Sequence, residues 1–177
     1  MSRTNGKGKE SQEFYPTPAG AVKALMSVVV PRPGDLFLEP CRGDGAIADR
    51  VALPDTQKLW AELREGVDYL ATPFPKCDLI ITNPPFTLTE EFLRKSFSEL
   101  APDGTLIYLQ RVNFLGSLVR VPFWAEVGFP EKTPILVPRP RFVKGGSDSC
   151  EYMWMVWDRG GRVVLPDGLS HLFSIHT

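Results

Sequence analysis

Asp78-Leu79-Ile80-Ile81-Thr82-Asn83-Pro84-Pro85-Phe86 joins a short apolar run directly to an Asn-Pro-Pro-aromatic turn. The run is too short for a helix and has no polar alternation, so it reads as a strand buried on both faces, as in a parallel sheet. Two prolines remove two backbone donors and stiffen the turn that follows. The Asn83 carboxamide and the Pro84 carbonyl are thereby expected as fixed acceptors at the strand's carboxyl end. Such a pair suits an NH₂ group on a conjugated ring. Accepting both of its hydrogens draws the nitrogen toward sp³ geometry and frees its lone pair. Phe86 can stack on the same ring.

Working outward, other short apolar runs sit between proline- and glycine-rich boundaries. Residues 36–38, 58–63, 105–110, 134–137 and 152–157 read as further strands, residues 46–51 as the start of a helix, and residues 90–100 as an amphipathic helix. Pro102-Asp103-Gly104 reads as a turn before the strand at 105. Strand alternating with helix over the first two thirds predicts an α/β fold with a mainly parallel sheet. The last two strands, with no helix between them, predict an antiparallel hairpin at one edge. Ligands of such sheets lie at the carboxyl ends of the strands.

Two further acidic strand ends fit that location. Leu38-Glu39-Pro40-Cys41-Arg42-Gly43-Asp44-Gly45 ends a strand in an acid and continues into a turn with two glycines. Gly43 and Gly45 let backbone N–H groups approach a ligand, and Glu39 can pair with a cation. The third glycine of a dinucleotide fingerprint is missing, so a nucleoside ending in an ammonium fits better. Glu62 closes the next strand, where a carboxylate can accept both hydroxyls of a ribose. Asp68 is expected at a later strand end, facing an exocyclic amine. Taken singly, a glycine turn or an acidic strand end is also an ordinary structural device.

The composition supports a folded domain: 177 residues, 43% hydrophobic and 23% charged. No apolar run approaches the ~20 residues of a membrane span, and no signal-peptide pattern opens the sequence. The three cysteines, Cys41, Cys77 and Cys150, are widely spaced, which points to free thiols and a cytoplasmic setting rather than a zinc site. The net charge of −1 hides a pattern: +3 over residues 1–34, −6 over 35–110, +3 over 111–162 and −1 after that. An acidic centre between basic flanks suits a cationic cofactor in the middle and an anion at the sides. Residues 1–12 read as a flexible basic tail and 13–177 as one domain.

Phe14-Tyr-Pro-Thr-Pro18, Glu39 to Gly45 and Asn83-Pro-Pro-Phe86, in this order, resemble the S-adenosylmethionine-dependent amino-methyltransferases. Within that group the chain resembles the DNA adenine-N6 methyltransferases of phage and bacterial type. Gln110-Arg-Val-Asn113-Phe-Leu-Gly116, Arg139-Pro-Arg-Phe142 and Tyr152-Met-Trp-Met-Val-Trp157 are similar to stretches of small phage members. The resemblance implies a Rossmann-like class I methyltransferase fold with a seven-stranded sheet whose last strand is antiparallel. It implies that Phe14 and Thr17 close over the methionine end of S-adenosylmethionine, with Glu39, Gly43 and Gly45 holding that portion. Glu62 would hold the ribose and Asp68 the adenine amine, with Asn83 also at the cofactor. Asn83, Pro84, Pro85 and Phe86 would hold the target base, flipped from a duplex or offered in a single strand.

Larger members carry a target-recognition domain, and nothing here is long enough to be one. Loops at 115–127 and 139–151 are therefore the expected readers of DNA, with Arg111, Arg120, Arg139, Arg141 and Lys144 facing phosphate and Asn113 also at the nucleic acid. An RNA amine or a protein glutamine amide presents the same planar NH₂ and remains an alternative, as does a cofactor-binding module that needs a partner subunit. Pro40-Cys41 lies in the glycine turn, not in a catalytic loop, so Cys41 is not read as a nucleophile. His171 and His176 are the sole histidines and sit in the polar C-terminal stretch, which argues against histidine catalysis and metal binding.

Overall fold

The structure, a computed structural model, describes residues 16–142, 149–166 and 174–176. The strands are β1 (Phe37–Glu39), β2 (Lys58–Trp60), β3 (Cys77–Thr82), β4 (Leu100–Arg111), β5 (Ile135–Val137), β6 (Tyr152–Asp158) and β7 (Ser174–His176). The helices are α1 (Ala19–Met26), α2 (Thr89–Glu99) and α3 (Val121–Val127). Among the described residues no helix is long and apolar enough to cross a membrane.

The strand order is β2-β1-β3-β4-β6-β5-β7. β2, β1, β3 and β4 are mutually parallel, and β6 runs antiparallel to both β4 and β5. The body of this mixed sheet is six-stranded, and its six strands correspond to the six apolar runs read from the residues. Seven strands are hydrogen-bonded in this sheet, but they are not arranged as the resemblance implies, because the last of them is not the antiparallel one. β7 is only a three-residue strip parallel to β5, and the antiparallel strand β6 is interior rather than at the edge. Residues 67–76 form turns and irregular chain, so Asp68 does not end a strand.

Central strands explain themselves chemically. Every residue of β6 is buried, and β1 is buried along its length, because each face of the sheet is covered. On one face α1 and the turn at Ala48–Arg50 pack Ala21, Val22, Leu25 and Ile47 against Leu79, Ile81, Ile107 and Trp154. On the other, α2 and α3 pack Phe92, Leu93, Phe123 and Trp124 against Ile80, Leu106, Tyr108 and Met155.

Several boundaries differ from expectation. Residues 46–51 give a single helical turn, Ala48–Arg50. β4 begins at Leu100 and carries Pro102-Asp103-Gly104 inside it as an irregularity, where the register to β3 shifts between Cys77 and Leu79. The segment 115–127, expected as a loop, contains α3, with proline in its first turn where a missing N–H costs nothing. At the pole opposite the strand carboxyl ends, Arg162 is 2% exposed and ties three segments together. Its Nε and Nη2 donate to the Asp35 carboxylate at 2.8 and 2.7 Å, and its Nη1 to the Asp103 carbonyl at 2.7 Å.

Candidate active site

The carboxyl ends of β1, β2, β3 and β4 lie at one edge, together with the start of β6, because Tyr152 pairs with Arg111 in the antiparallel register. The predicted acids and the Asn-Pro-Pro-Phe turn are therefore brought to the same side of the sheet.

The glycine turn is held by backbone amides and carboxylates. Glu39 is 1% exposed and its Oε2 accepts from the Ala48 N–H at 2.9 Å. Burial pushes its carboxyl well above the usual range, against the pull of that N–H and of the Arg42 charge. Glu62, beyond the end of β2, accepts from the Gly43 N–H at 2.8 Å and from Arg64 N and Nε at 3.1 and 2.9 Å. Burial raises its carboxyl too, but the bonds from Arg64 and Gly43 outweigh it and hold Glu62 below the ordinary value. Gly43 and Gly45 have φ of 57° and 84°, a backbone region that side chains rarely adopt. A Cβ on Gly45 would also lie 3.1 Å from both carboxylate oxygens of Asp49.

The turn after β3 is held differently. Asn83 Nδ2 donates to Thr17 Oγ1 at 3.2 Å, which turns Oδ1 to the opposite side of the amide. Pro84 is buried and Phe86 half-buried. The Phe86 ring packs on Tyr152 with centroids 5.9 Å apart, and Tyr152 packs on Phe142 at 4.8 Å. The Arg111 guanidinium lies 5.0 Å over the Phe86 ring, and its Nε donates to Tyr152 Oη at 3.4 Å. Beneath, Thr89 Oγ1 donates to the Phe86 carbonyl at 3.1 Å and accepts from Gln110 Nε2 at 2.7 Å. A buried relay thus links the tip of β4 to the turn.

Sequence reasoning missed this relay and the part of Tyr152. Tyr152 opens a fully apolar strand and so reads as core, and the partners Gln110 and Thr89 are 21 residues apart. The remaining expected residues divide. Asp68 is exposed, and its Oδ1 accepts from the Leu70 N–H at 2.9 Å as a local turn. Arg111, Asn113 and Arg141 are exposed. Arg120 pairs with Glu90 at 3.1 Å and stacks 4.1 Å over Phe114, and Arg139 pairs with Glu151, so both cations carry intramolecular partners. Phe14, Lys144 and the tail at 1–12 lie outside the described residues. Burial pushes up the Cys41 thiol, aided by the Glu62, Glu39 and Asp68 charges, and raises Cys77 to about 12; neither favours a thiolate. Among the described residues no group of His, Cys, Asp and Glu is assembled to hold a metal.

Comparison with solved structures shows what fold this is. The M protein of the type I restriction enzyme EcoKI aligns over 95% of this chain and 50% of its own, with TM-score 0.66 and 13% identity. A Listeria monocytogenes protein described as a class I S-adenosylmethionine-dependent methyltransferase aligns over 96% of this chain and 68% of its own, with TM-score 0.63 and 13% identity. A Vibrio vulnificus protein described as a modification subunit of a type I restriction enzyme aligns over 94% of this chain and 50% of its own, with TM-score 0.62 and 18% identity. The chain spans about half the length of the first and third of these. No family model and no curated protein matches the sequence. The fold is that of the class I S-adenosylmethionine-dependent methyltransferases.

S-adenosylmethionine is the cofactor that goes with this fold, and the donor set fits it. Glu39 is a buried carboxyl whose ionised form a neighbouring cation would stabilise. At Gly45 the positive φ and the Asp49 carboxylate 3.1 Å from where a Cβ would stand keep the turn to backbone alone. Glu62 already takes three hydrogen bonds, and a carboxylate offers about four acceptor sites. Gripping both hydroxyls of a ribose therefore requires the exposed Arg64 to yield.

Proposed function

We propose that the chain transfers a methyl group from S-adenosylmethionine to the N6 amine of adenine in DNA. The observation that carries this reading is the fixed Asn83 amide at the end of β3, its NH₂ committed to Thr17 and its Oδ1 turned away, beside the aromatic Phe86. An oxygen held there accepts one amine hydrogen, and the Pro84 carbonyl accepts the other. The cofactor, when bound, supplies an electrophilic methyl on a sulfonium. Its methyl would pass from sulfur to the amine nitrogen with the sulfide as leaving group, and the nitrogen's excess proton would leave to water, since Asn83 and Pro84 offer only acceptor oxygens that position the amine. No side chain of general-base type lies in Asn83-Pro-Pro-Phe86, so positioning and exclusion of water carry the catalysis. For a base to stack on the face of Phe86 that Arg111 covers, the guanidinium must move aside, and a phosphate is the natural partner to receive it.

DNA is favoured over RNA or a protein amide by the downstream phage-like stretches and by two matched proteins that are named as parts of restriction enzymes. The test is transfer of tritium from labelled cofactor to duplex DNA, single-stranded DNA, RNA and a protein extract. Labelling of DNA that is lost in Asn83→Ala supports the reading. Preferential labelling of RNA or protein replaces the substrate, and robust labelling by Asn83→Ala removes the assigned role of that amide. Cofactor binding without any transfer favours a module that needs a partner.

A further inference from the structure

Leu118 and Val119 are the most exposed large apolar side chains among the described residues, at 85% and 88%. Val121, next in the sequence, and Leu88, two residues before Glu90, are exposed as well. The one-turn helix Leu118–Arg120 is clamped to the start of α2. Arg120 Nε donates to Glu90 Oε1 at 3.1 Å, and its Nη1 donates to the Phe114 carbonyl at 3.5 Å. Glu90 follows the turn Phe86–Leu88 that begins with the candidate base-stacking ring. The exposed aliphatic tip is therefore tied to the first turn of the helix that follows the candidate base-stacking ring.

A few branched aliphatic side chains without an aromatic anchor fall well short of the roughly 800 Å² per partner of a stable protein interface. The exposed cations Arg111 and Arg141 on the same side of the sheet suit a polyanion instead. We propose that Leu118 and Val119 form a wedge that enters the base stack of duplex DNA beside the target adenine. The proposal rests on the adenine reading above. Extruding a base from a duplex costs unstacking energy and leaves a gap walled by apolar base faces. Two aliphatic side chains fixed by the Arg120 clamp fill that gap and lose their own contact with water. In a single strand no stacked gap needs filling, so the wedge matters for duplex alone.

The test is the double variant Leu118→Ser with Val119→Ser, assayed on native and on heat-denatured DNA. Both side chains are exposed, so the fold is retained. The expected result is a fall in kcat/KM of about tenfold or more on duplex. On single strands the change stays within about twofold. Equal falls on both substrates overturn the wedge. So does conversion of a wild-type dimer to a monomer by the variant, which would assign the tip to a second copy. Fluorescence of 2-aminopurine in duplex DNA provides a readout that needs no methyl transfer. If the wild type methylates neither form yet raises that fluorescence and the variant does not, the wedge stands and the adenine reading fails. If neither protein raises it, the wedge is overturned.

Discussion

Around Gly43 and Gly45 the backbone does the holding: the Ala48 amide binds Glu39, the Gly43 amide binds Glu62, and positive φ angles set the path of the chain. Around Phe86 the holding is done by side chains, with Arg111 on the ring, Tyr152 against it, and Gln110 and Thr89 beneath. Backbone-held geometry is preorganised, because moving it means breaking the turn itself. A stacked guanidinium can swing away by giving up side-chain contacts, here the Phe86 ring and the Tyr152 hydroxyl among them, without breaking the backbone. The difference suits a site in which one half receives a small cation of constant shape and the other admits a base from a large polymer. It also teaches that two acids at neighbouring strand ends need not behave alike. Glu39 is driven toward its neutral form by burial, whereas hydrogen bonds from Arg64 and Gly43 keep Glu62 ionised.

The largest effect is expected on the side-chain half. Asn83→Ala should lower methyl transfer by roughly 10²–10³, the loss typical of a preorganised polar group at a reacting atom. Cofactor affinity, measured by calorimetry, should change much less, since the glycine turn is untouched. Next, Glu39→Gln should weaken cofactor binding by about tenfold, the loss of one charge-assisted interaction.

The pH dependence of that affinity is the sharper readout. With Glu39 raised above its unfolded value, its contribution to stability is complete below the unfolded carboxylate pKa. It declines as pH rises through the folded one, where an ionised group must be buried. A bound cation favours the ionised form, so wild-type affinity should rise with pH over that range with release of a proton. Glu39→Gln should remove both the slope and the proton release, which calorimetry in buffers of different ionisation enthalpy detects. Glu62 has the opposite sign. Its contribution is present above the unfolded carboxylate pKa and is lost as pH falls through the folded one.

Gly45→Ala tests the backbone half by itself. The positive φ and the Asp49 carboxylate 3.1 Å from the new Cβ predict a loss of about 1–2 kcal/mol in a urea melt. The smallest effect separates two arginines. Arg111→Ala should reduce the salt dependence of DNA binding by about one counterion. Arg120→Ala should leave that slope nearly unchanged and lower stability, because its charge is already spent on Glu90. Equal slopes in the two variants would erase the distinction drawn between them.

The body of the fold was legible because its central strands are buried on both faces and therefore carry unbroken apolar runs, as in Leu79-Ile80-Ile81 and in residues 152–157. α2 was legible too, from the alternation of buried Phe92, Leu93 and Ser96 with charged positions. α1 and α3 were not read. Their ends carry no capping side chain, and Ala19-Gly20-Ala21 and Val121-Pro122 are weak helix signals that tertiary packing overrides. β7 was not legible because Ser174-Ile175-His176 is no apolar run, and the strand end expected at Asp68 is replaced by the turns and irregular chain of residues 67–76. In the candidate site, Glu39, Glu62 and Asn83 fall at strand ends as expected, since a motif of consecutive residues encodes its own geometry. The ion pairs of Arg120 with Glu90 and of Arg139 with Glu151 were not legible, because the partners are 30 and 12 residues apart.

Arg162, far from all of this chemistry, has a practical consequence. It rivets residues 35, 103 and 162 at one pole, while the base-side loops occupy the other. Randomised libraries confined to the exposed positions 113, 116, 118, 119, 139 and 141 leave that rivet and the core intact, so variants of the proposed base-side surface can be sought there without refolding the scaffold. Chimeras spliced between residues 35 and 162 must take both sides of the ion pair from one parent.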